Sequence, residues 1–555
     1  MRIGLDVGGT HTDAVLVSAE GIVSTAKIET NHDDLLTSVL SAFKQILNNA
    51  DPSKIEAITL STTLTTNILL EGKAEEVGVI VSSGPGIDPE LHRIGKNFFP
   101  IDGSIDHRGE ERKTINKSQL EDSVAECRKK GIRAYAAVSK FSTRNPAHEL
   151  LMESVIGREA DIITAGHRIS GGLNFPRRIN TAYFNSAVWR TFNEFAYAVA
   201  EGICSMGLST PINILKADGG TMTFASSRNV PVQSILSGPA ASIMGVTALC
   251  EIPGDAIMLD IGGTSTDIAI IAAGLPLIEP EGISLHDRPT LVRSLRTKSI
   301  AIGGDSALRM DNNTITIGPD RLGPCMASGG SKPALMDALN VAGEITFGNV
   351  EASRHGITEL AVKAGRSPEE VAGIAAGSAI GIITTAVRHM IDELNERPVY
   401  TIHELLHADK IEPAELVIIG GPAQAFSGCL SRAFGLKTRV PKVHGVANAV
   451  GAALTLTTMD IELFADTERG ILMVPRLSVN KPISRDYSVQ DARLDAEQYL
   501  LASMDSAEFS EAQIIEASSF NMMQGARLAG RNIRVRSQIR PGLIPTYVDG
   551  VKASC

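Results

Sequence analysis

Asp6-Val7-Gly8-Gly9-Thr10-His11-Thr12-Asp13 and Asp260-Ile261-Gly262-Gly263-Thr264-Ser265-Thr266-Asp267 are two copies of one phrase, identical at six of eight positions. Apolar runs flank both. Arg2-Ile3-Gly4-Leu5 and Ala256-Ile257-Met258-Leu259 lead in, and Ala14–Val17 and Ile268–Ile271 lead out. Each copy predicts a β-hairpin with Gly-Gly-Thr at its tip. Glycines there have access to φ > 0 and allow close backbone approach, while backbone N–H groups and hydroxyls of Thr10, Thr12, Thr264 and Ser265 offer donors to phosphate oxygens. Asp6 and Asp260 close their strands, where a carboxylate holds Mg²⁺, usually through water. Asp13 and Asp267 start the return strands, and either a hydrogen bond across the hairpin or a catalytic role suits them. One hairpin in each half of the chain implies a cleft that grips a nucleoside triphosphate, ATP with Mg²⁺, from both sides.

At 555 residues the chain exceeds one core, so two or three domains are expected. A hydrophobic content of 43% with 21% charged residues is that of a soluble globular protein. The net charge of −11 argues against a general nucleic-acid surface. Six scattered cysteines without CxxC spacing predict neither a disulfide framework nor a zinc site, and suit a reducing cytosol. The chain enters a predicted core strand at residue 2, so no signal peptide and a cytoplasmic location are expected. Val371 to Val387 is free of charge, with Gly373, Gly377 and Gly381 at the spacing of a helix-dimer seam in lipid. Its Ala, Gly, Ser and Thr content and its length favour a buried core helix, so no membrane is expected.

Strand and helix patterns alternate along the chain, which indicates an α/β sheet. A helix is expected from Asp33 to Leu47, then strands at Ala57–Leu60 and Val77–Ser82, with a polar excursion from Asp88 to Lys117. Val188, Phe192, Phe195, Val199, Ile203 and Met206 recur at helical spacing and read as core. Ser237 opens a helix into the second half, and Gly303-Gly304-Asp305-Ser306 is a further glycine loop. Asp305 there suits either a metal-bound phosphate or a turn. The strand Leu416–Ile419 ends in Gly420-Gly421-Pro422, with a small-residue helix from Val446 to Ala453 that carries Asn448. A strand–glycine–helix unit of this kind accepts a nucleotide base on its backbone. Beyond about Leu472 no motif recurs.

The order of these elements is that of the actin-like ATPase and sugar kinase superfamily. Within it the chain resembles the hydantoinase A/5-oxoprolinase family over roughly residues 1–460. The matches are the first hairpin, Ser61-Thr62-Thr63 with Thr66-Asn67, Phe141-Ser142 with Asn145-Pro146 and His148-Glu149, Asp218-Gly219-Gly220, Ser237-Gly238-Pro239, and the second hairpin. Two places depart from the family pattern: Gly303-Gly304-Asp305-Ser306 replaces a Gly-Gly-Gly-Ser loop, and Asn185-Ser186-Ala187 replaces Asn-Ala-Tyr.

The resemblance implies an α/β fold of two actin-like (ribonuclease H-like) lobes around a nucleotide cleft, residues 1–253 and 254–471, with a C-terminal extension over 472–555. It implies ATP-dependent opening of a cyclic amide, hydantoin or lactam, or a carboxylation. A second hydantoinase-type subunit and a homo- or hetero-oligomer are implied as partners. A small-molecule kinase and a nucleotide-dependent switch are the alternatives. On this scheme Gly8, Gly9, Gly262, Gly263, Gly303 and Gly304 serve phosphate, and Gly420, Gly421, Pro422 and Asn448 serve the adenosine. First-lobe loops with no nucleotide task place the substrate against Thr62, Thr63, Asn67 and His148; for His148, capping of a helix start is the simpler role.

Overall fold

The computed structural model describes residues 1–31, 34–48, 50–279, 281–311, 314–396, 410–504 and 511–553. Its frame is two sheets built on the duplicated phrase. In the first, the order is Thr221–Thr223, Ile212–Leu215, Ala57–Thr62, Arg2–Val7, His11–Ser18, Gly21–Glu29. The strands at Arg2, Ala57 and Ile212 run parallel, so their C-terminal ends open on one edge. In the second, Ala256–Ile261 pairs antiparallel with Thr266–Ala272 and parallel with Glu415–Ile419. Register repeats with the sequence: Asp6 lies opposite Asp13, and Asp260 opposite Asp267.

Two small-residue helices, Ser237–Leu249 and Ala447–Leu454, share one core with both sheets, including Val15, Val17, Leu215, Met258, Ile271 and Val417. They cross at glycine. A Cβ on Gly245 would collide with the Ala447 carbonyl, one on Gly451 with the Ala241 carbonyl, and one on Gly4 with the Ala449 carbonyl. This backbone-to-backbone contact fixes Asn448 beside both hairpins.

The helix predicted from Asp33 spans Leu35–Leu47 with Asp34 as its cap, its side chain accepting from Thr37 N; residue 33 itself lies outside the described residues. The apolar stripe lies on the helix Phe175–Ser205, where Val188, Phe192, Val199 and Ile203 are buried. The expected polar excursion holds a strand, Asn97–Pro100, that extends a four-stranded sheet with Val77–Ser82, Ala134–Ser139 and Ile162–Ala165. Phe98 packs on one side of the strand and Phe99 on the other, with Ile94, Ile101, Ile105 and Ile115 buried around them, apolar positions that the intervening charge and turn residues mask. The charge-free stretch lies in the helix Pro368–Asn395, long and apolar enough by composition to cross a membrane, with 44% of that window buried. Its packed face is Val371, Ala375, Ala379, Ile383 and Val387. The glycine stripe is not the packed seam: Gly373, Gly377 and Gly381 face open space.

The C-terminal part forms a five-stranded sheet ordered Val479–Pro482, Ile471–Val474, Asp460–Asp466, Arg527–Ile539, Ala512–Gln524. Strands from both sides of residue 471 build it, and the helix Val489–Ala502 covers one face through Ala492, Ala496 and Leu500.

Candidate active site

The two hairpin tips face each other across a cavity of about 710 Å³. Gly8, Gly9 and Thr10 line it from the first sheet, and Gly262, Gly263, Thr264 and Ser265 from the second. Each tip is a tight turn: Gly8 N donates to His11 O at 3.1 Å and Gly262 N to Ser265 O at 2.9 Å. None of these four glycines adopts positive φ. What they provide is space. A Cβ on Gly8 would press on the His11 carbonyl, and one on Gly263 on the Asp305 carboxylate.

Asp6 and Asp260 meet at the centre. Asn448 Nδ2 donates to Asp6 Oδ2 at 3.1 Å and reaches Asp260 Oδ2 at 3.4 Å. Ser242 Oγ donates to the same Asp260 oxygen at 2.5 Å. Burial raises both carboxyls above their ordinary value, and at Asp6 the neighbouring Asp260 charge adds to the rise. Asp6 Oδ1 is buried with no hydrogen-bond partner. Two facing carboxylates, one with an orphaned oxygen, form an oxygen donor set that suits Mg²⁺ and its waters.

Asp13 and Asp267 also line the cavity. Asp13 accepts from Lys27 Nζ at 2.7 Å, and the same ammonium donates to the Gly445 carbonyl at 3.0 Å. Burial pushes Asp13 and Asp267 up to about 7. Lys27, His11 and Arg321 are the cationic or basic side chains on the wall.

Gly420, Gly421 and Pro422 line the same cavity beside Asp260 and Asn448, together with the apolar side chains Met336, Ile345 and Phe347. The cavity thus combines apolar side chains with carboxylates and hairpin N–H groups, surfaces that suit a base and phosphates. Gly420 has φ +94°, and a Cβ there would strike the Ile261 carbonyl; a Cβ on Gly421 would point into open space.

Several expected residues stand elsewhere. Thr12 is buried with its hydroxyl on Thr30 at 3.1 Å, so it braces the hairpin base and offers nothing to the cavity. Gly303 and Gly304 lie behind the second tip: Gly304 N donates to Gly262 O at 2.9 Å and Asp305 N to Gly263 O at 2.7 Å. Asp305, by contrast, lines the cavity behind Gly263, its carboxylate accepting from Arg321 Nε at 3.1 Å and Cys325 N at 3.0 Å. The four proposed substrate residues do not form one pocket. Thr63 lines the nucleotide-sized cavity. Thr62 is buried, its backbone locked to Ser237 Oγ in both directions. Asn67 Nδ2 donates to Thr63 Oγ1 at 3.3 Å. His148 is buried on the helix Ala147–Ile156 with Nε2 on Glu111 at 3.0 Å. Glu149 accepts from Ser139 N and His167 N, a structural anchor.

Sequence reasoning missed Lys27, Ser242, Met336, Ile345 and Phe347. The helix from Ser237 was legible, but its one hydroxyl aimed at Asp260 carries no local signature.

The family model for hydantoinase/oxoprolinase matches residues 178–461, and the model for its N-terminal region matches residues 2–160. The chain belongs to the hydantoinase/oxoprolinase family. Caprolactamase subunit alpha of Pseudomonas jessenii is 24% identical over 84% of this chain and 73% of its own. Acetophenone carboxylase gamma subunit of Aromatoleum aromaticum is 23% identical over 85% and 70%. The 5-oxoprolinase of Saccharomyces cerevisiae is 22% identical over 58% of this chain, which spans only 29% of that protein. Among solved structures, nucleotide-free acetone carboxylase superposes with a TM-score of 0.73 at 16% identity, covering 98% of this chain and 88% of that one. The ATP-dependent caprolactamase of Pseudomonas jessenii gives 0.69 at 17% identity, covering 97% and 87%. These likenesses carry the fold, an α/β architecture of actin-like ATPase type.

Proposed function

We propose that this member of the family is an ATP-dependent enzyme, or the ATP-using subunit of one, that opens a cyclic amide of the lactam or hydantoin type. The carrying observation is the pair of facing hairpins with Asp6 and Asp260 joined through Asn448. The relatives named above, an ATP-dependent caprolactamase and a 5-oxoprolinase among them, support the substrate class. Several relatives are named as subunits, which supports a partner subunit for this chain too.

A ring amide carbonyl is a poor electrophile, and transfer of the γ-phosphoryl group to its oxygen gives the carbon a leaving group. Water then adds to that carbon and the ring C–N bond breaks, the nitrogen taking up a proton as it leaves and the carbon remaining as an acyl phosphate. A second water hydrolyses the acyl phosphate, leaving ADP, phosphate and an amino acid from a lactam or a carbamoyl amino acid from a hydantoin. The hairpin N–H groups and the hydroxyls of Thr10, Thr264 and Ser265 hold the phosphates. Asp6 and Asp260 would hold Mg²⁺, which would supply positive charge to offset that on the transferred phosphoryl group. Lys27 balances Asp13 at the cleft edge, and either Asp13 or Asp267, each poised near neutral pH, accepts a proton as the nucleophile is oriented.

The test is ADP release by the purified chain, alone and with a candidate partner subunit, on a panel of lactams and hydantoins. Stimulation with formation of the ring-opened product supports the assignment. A stable phosphorylated alcohol would mark a kinase, and slow turnover indifferent to every ring would mark a switch.

A further inference from the structure

The loop Gly303-Gly304-Asp305-Ser306 is one of the two places where this chain departs from the family pattern. It underpins the second hairpin tip, since Gly304 N and Asp305 N donate to the carbonyls of Gly262 and Gly263. Its acidic side chain therefore stands at a phosphate turn. Asp305 Oδ2 lies 2.8 Å from where a Cβ on Gly263 would be, and Thr10 Oγ1 of the first tip lies 3.6 Å from the same point. A bare carboxylate there would repel phosphate.

Arg321 meets that carboxylate. It ends the strand Thr314–Arg321, in register opposite Ser306, whose Oγ accepts from Gly303 N at 2.8 Å. The strand pair thus ties the arginine to the loop that carries Asp305. Nε and Nη2 of Arg321 both lie 3.1 Å from one oxygen, Asp305 Oδ2, while Oδ1 accepts from Cys325 N at 3.0 Å. Nη1 makes no hydrogen bond among the described residues. The side chain is 28% exposed and lines the cleft. Lys27 is the other permanently cationic side chain on the described wall, and Asp13 and the Gly445 carbonyl already engage it. Arg321 instead keeps an unused N–H group, on a planar fork whose geometry suits phosphate oxygens.

We infer that Arg321 is a phosphate-binding residue of the nucleotide cleft. Asp305 holds its guanidinium at the second tip, and the phosphates of a nucleoside di- or triphosphate take its N–H groups when they bind. This assignment rests on the reading of the cleft as a nucleotide site, and adds a charged side-chain contact to the N–H groups and hydroxyls of the hairpins. The Asp305 carboxylate then competes with the phosphates for one guanidinium, so the two residues act on affinity with opposite sign. A purely structural ion pair would act with one sign, because loss of either partner would loosen the same tip.

Calorimetric titration of the whole protein with ADP tests it. Arg321→Met should bind ADP about tenfold or more weakly than the parent, because charge-assisted bonds are lost, and Arg321→Lys should lose less, because a point charge remains. Asp305→Asn should bind ADP more tightly than the parent, since the competing charge is gone. Unchanged affinity in Arg321→Met overturns the assignment. Weaker binding in both Arg321→Met and Asp305→Asn also overturns it, because that pattern marks a structural pair. A parent that binds no ADP overturns the nucleotide reading itself, and this assignment with it. Should Arg321→Met fail to fold, crystals of the parent with ADP decide. A phosphate oxygen within hydrogen-bond reach of the guanidinium supports the contact, and phosphates held without it overturn it.

Discussion

The carboxylates of Asp6 and Asp260, 254 positions apart by sequence number, converge on the single amide of Asn448, at 3.1 and 3.4 Å. Asn448 is placed by a helix whose glycine contacts leave it no freedom to move away. Burial raises both carboxyls above their ordinary value, the Asp260 charge adds to the rise at Asp6, and a metal ion between them would relieve both.

Asp260→Asn removes that charge together with half of the metal's ligand pair. The variant should melt at or above the parent's temperature in the absence of nucleotide. Its Mg²⁺-dependent affinity for ATP should fall by about tenfold or more. Equal Mg²⁺-dependent binding in parent and variant, measured by calorimetry, would remove the metal assignment.

Gly420 and Gly421 separate a structural from a binding role one residue apart. Gly420→Ala forces an L side chain to φ +94° and into the Ile261 carbonyl, so it should lower the melting temperature. Gly421→Val meets nothing in the protein and fills only the cavity. It should melt like the parent while binding ADP more weakly, and unchanged ADP affinity would place the base elsewhere.

Asp460 gives a pH test. Burial opposes its charge, but Arg476, Arg293 and Lys216 outweigh burial and lower its pKa from 3.8 to about 2. A carboxyl depressed on folding stabilises the fold above its unfolded pKa and loses that contribution as pH falls toward the folded value. Asp460→Asn should therefore be less stable than the parent at neutral pH, with the gap narrowing between about pH 4 and 2. Denaturant titrations across that range measure the gap; a gap that widens in acid contradicts the charge arrangement.

The two hairpins, the strand before Gly420 and the helix from Ser237 were legible because each is a local pattern: an apolar run, a glycine turn, a restart. The duplication made the cleft legible as well, since Asp6 and Asp260 had to occupy equivalent strand ends. Lys27 was not legible. It sits in an alternating strand like any solvated lysine, and only the fold brings it to Asp13 and Gly445. The C-terminal sheet was missed for a related reason. In Arg527–Ile539 the buried positions Ile533, Val535 and Ile539 alternate with Arg534 and Arg536, and without a partner strand in view that alternation reads as plain charge. The substrate grouping of Thr62, Thr63, Asn67 and His148 came from strand-end logic, which predicts where loops open but not which side chain faces which cavity.

The last prediction separates those residues. Thr63 lines the cleft and donates to the Val7 carbonyl at 3.2 Å, next to the first phosphate turn. Thr63→Val keeps the shape and removes the hydroxyl, so ATP turnover should fall several-fold with little change in melting temperature, on the order of the loss of one hydrogen bond near the reacting phosphates. His148 is buried against Gly103 and Ile115-facing packing, with Nε2 on Glu111. His148→Ala leaves a void and an unpaired Glu111, and should cost about 1–3 kcal/mol of stability. Its affinity for ATP should match the parent's at temperatures where it is folded. Loss of nucleotide affinity in His148→Ala, with stability intact, would mean that His148 reaches the cleft by a route the packing around Glu111 does not provide.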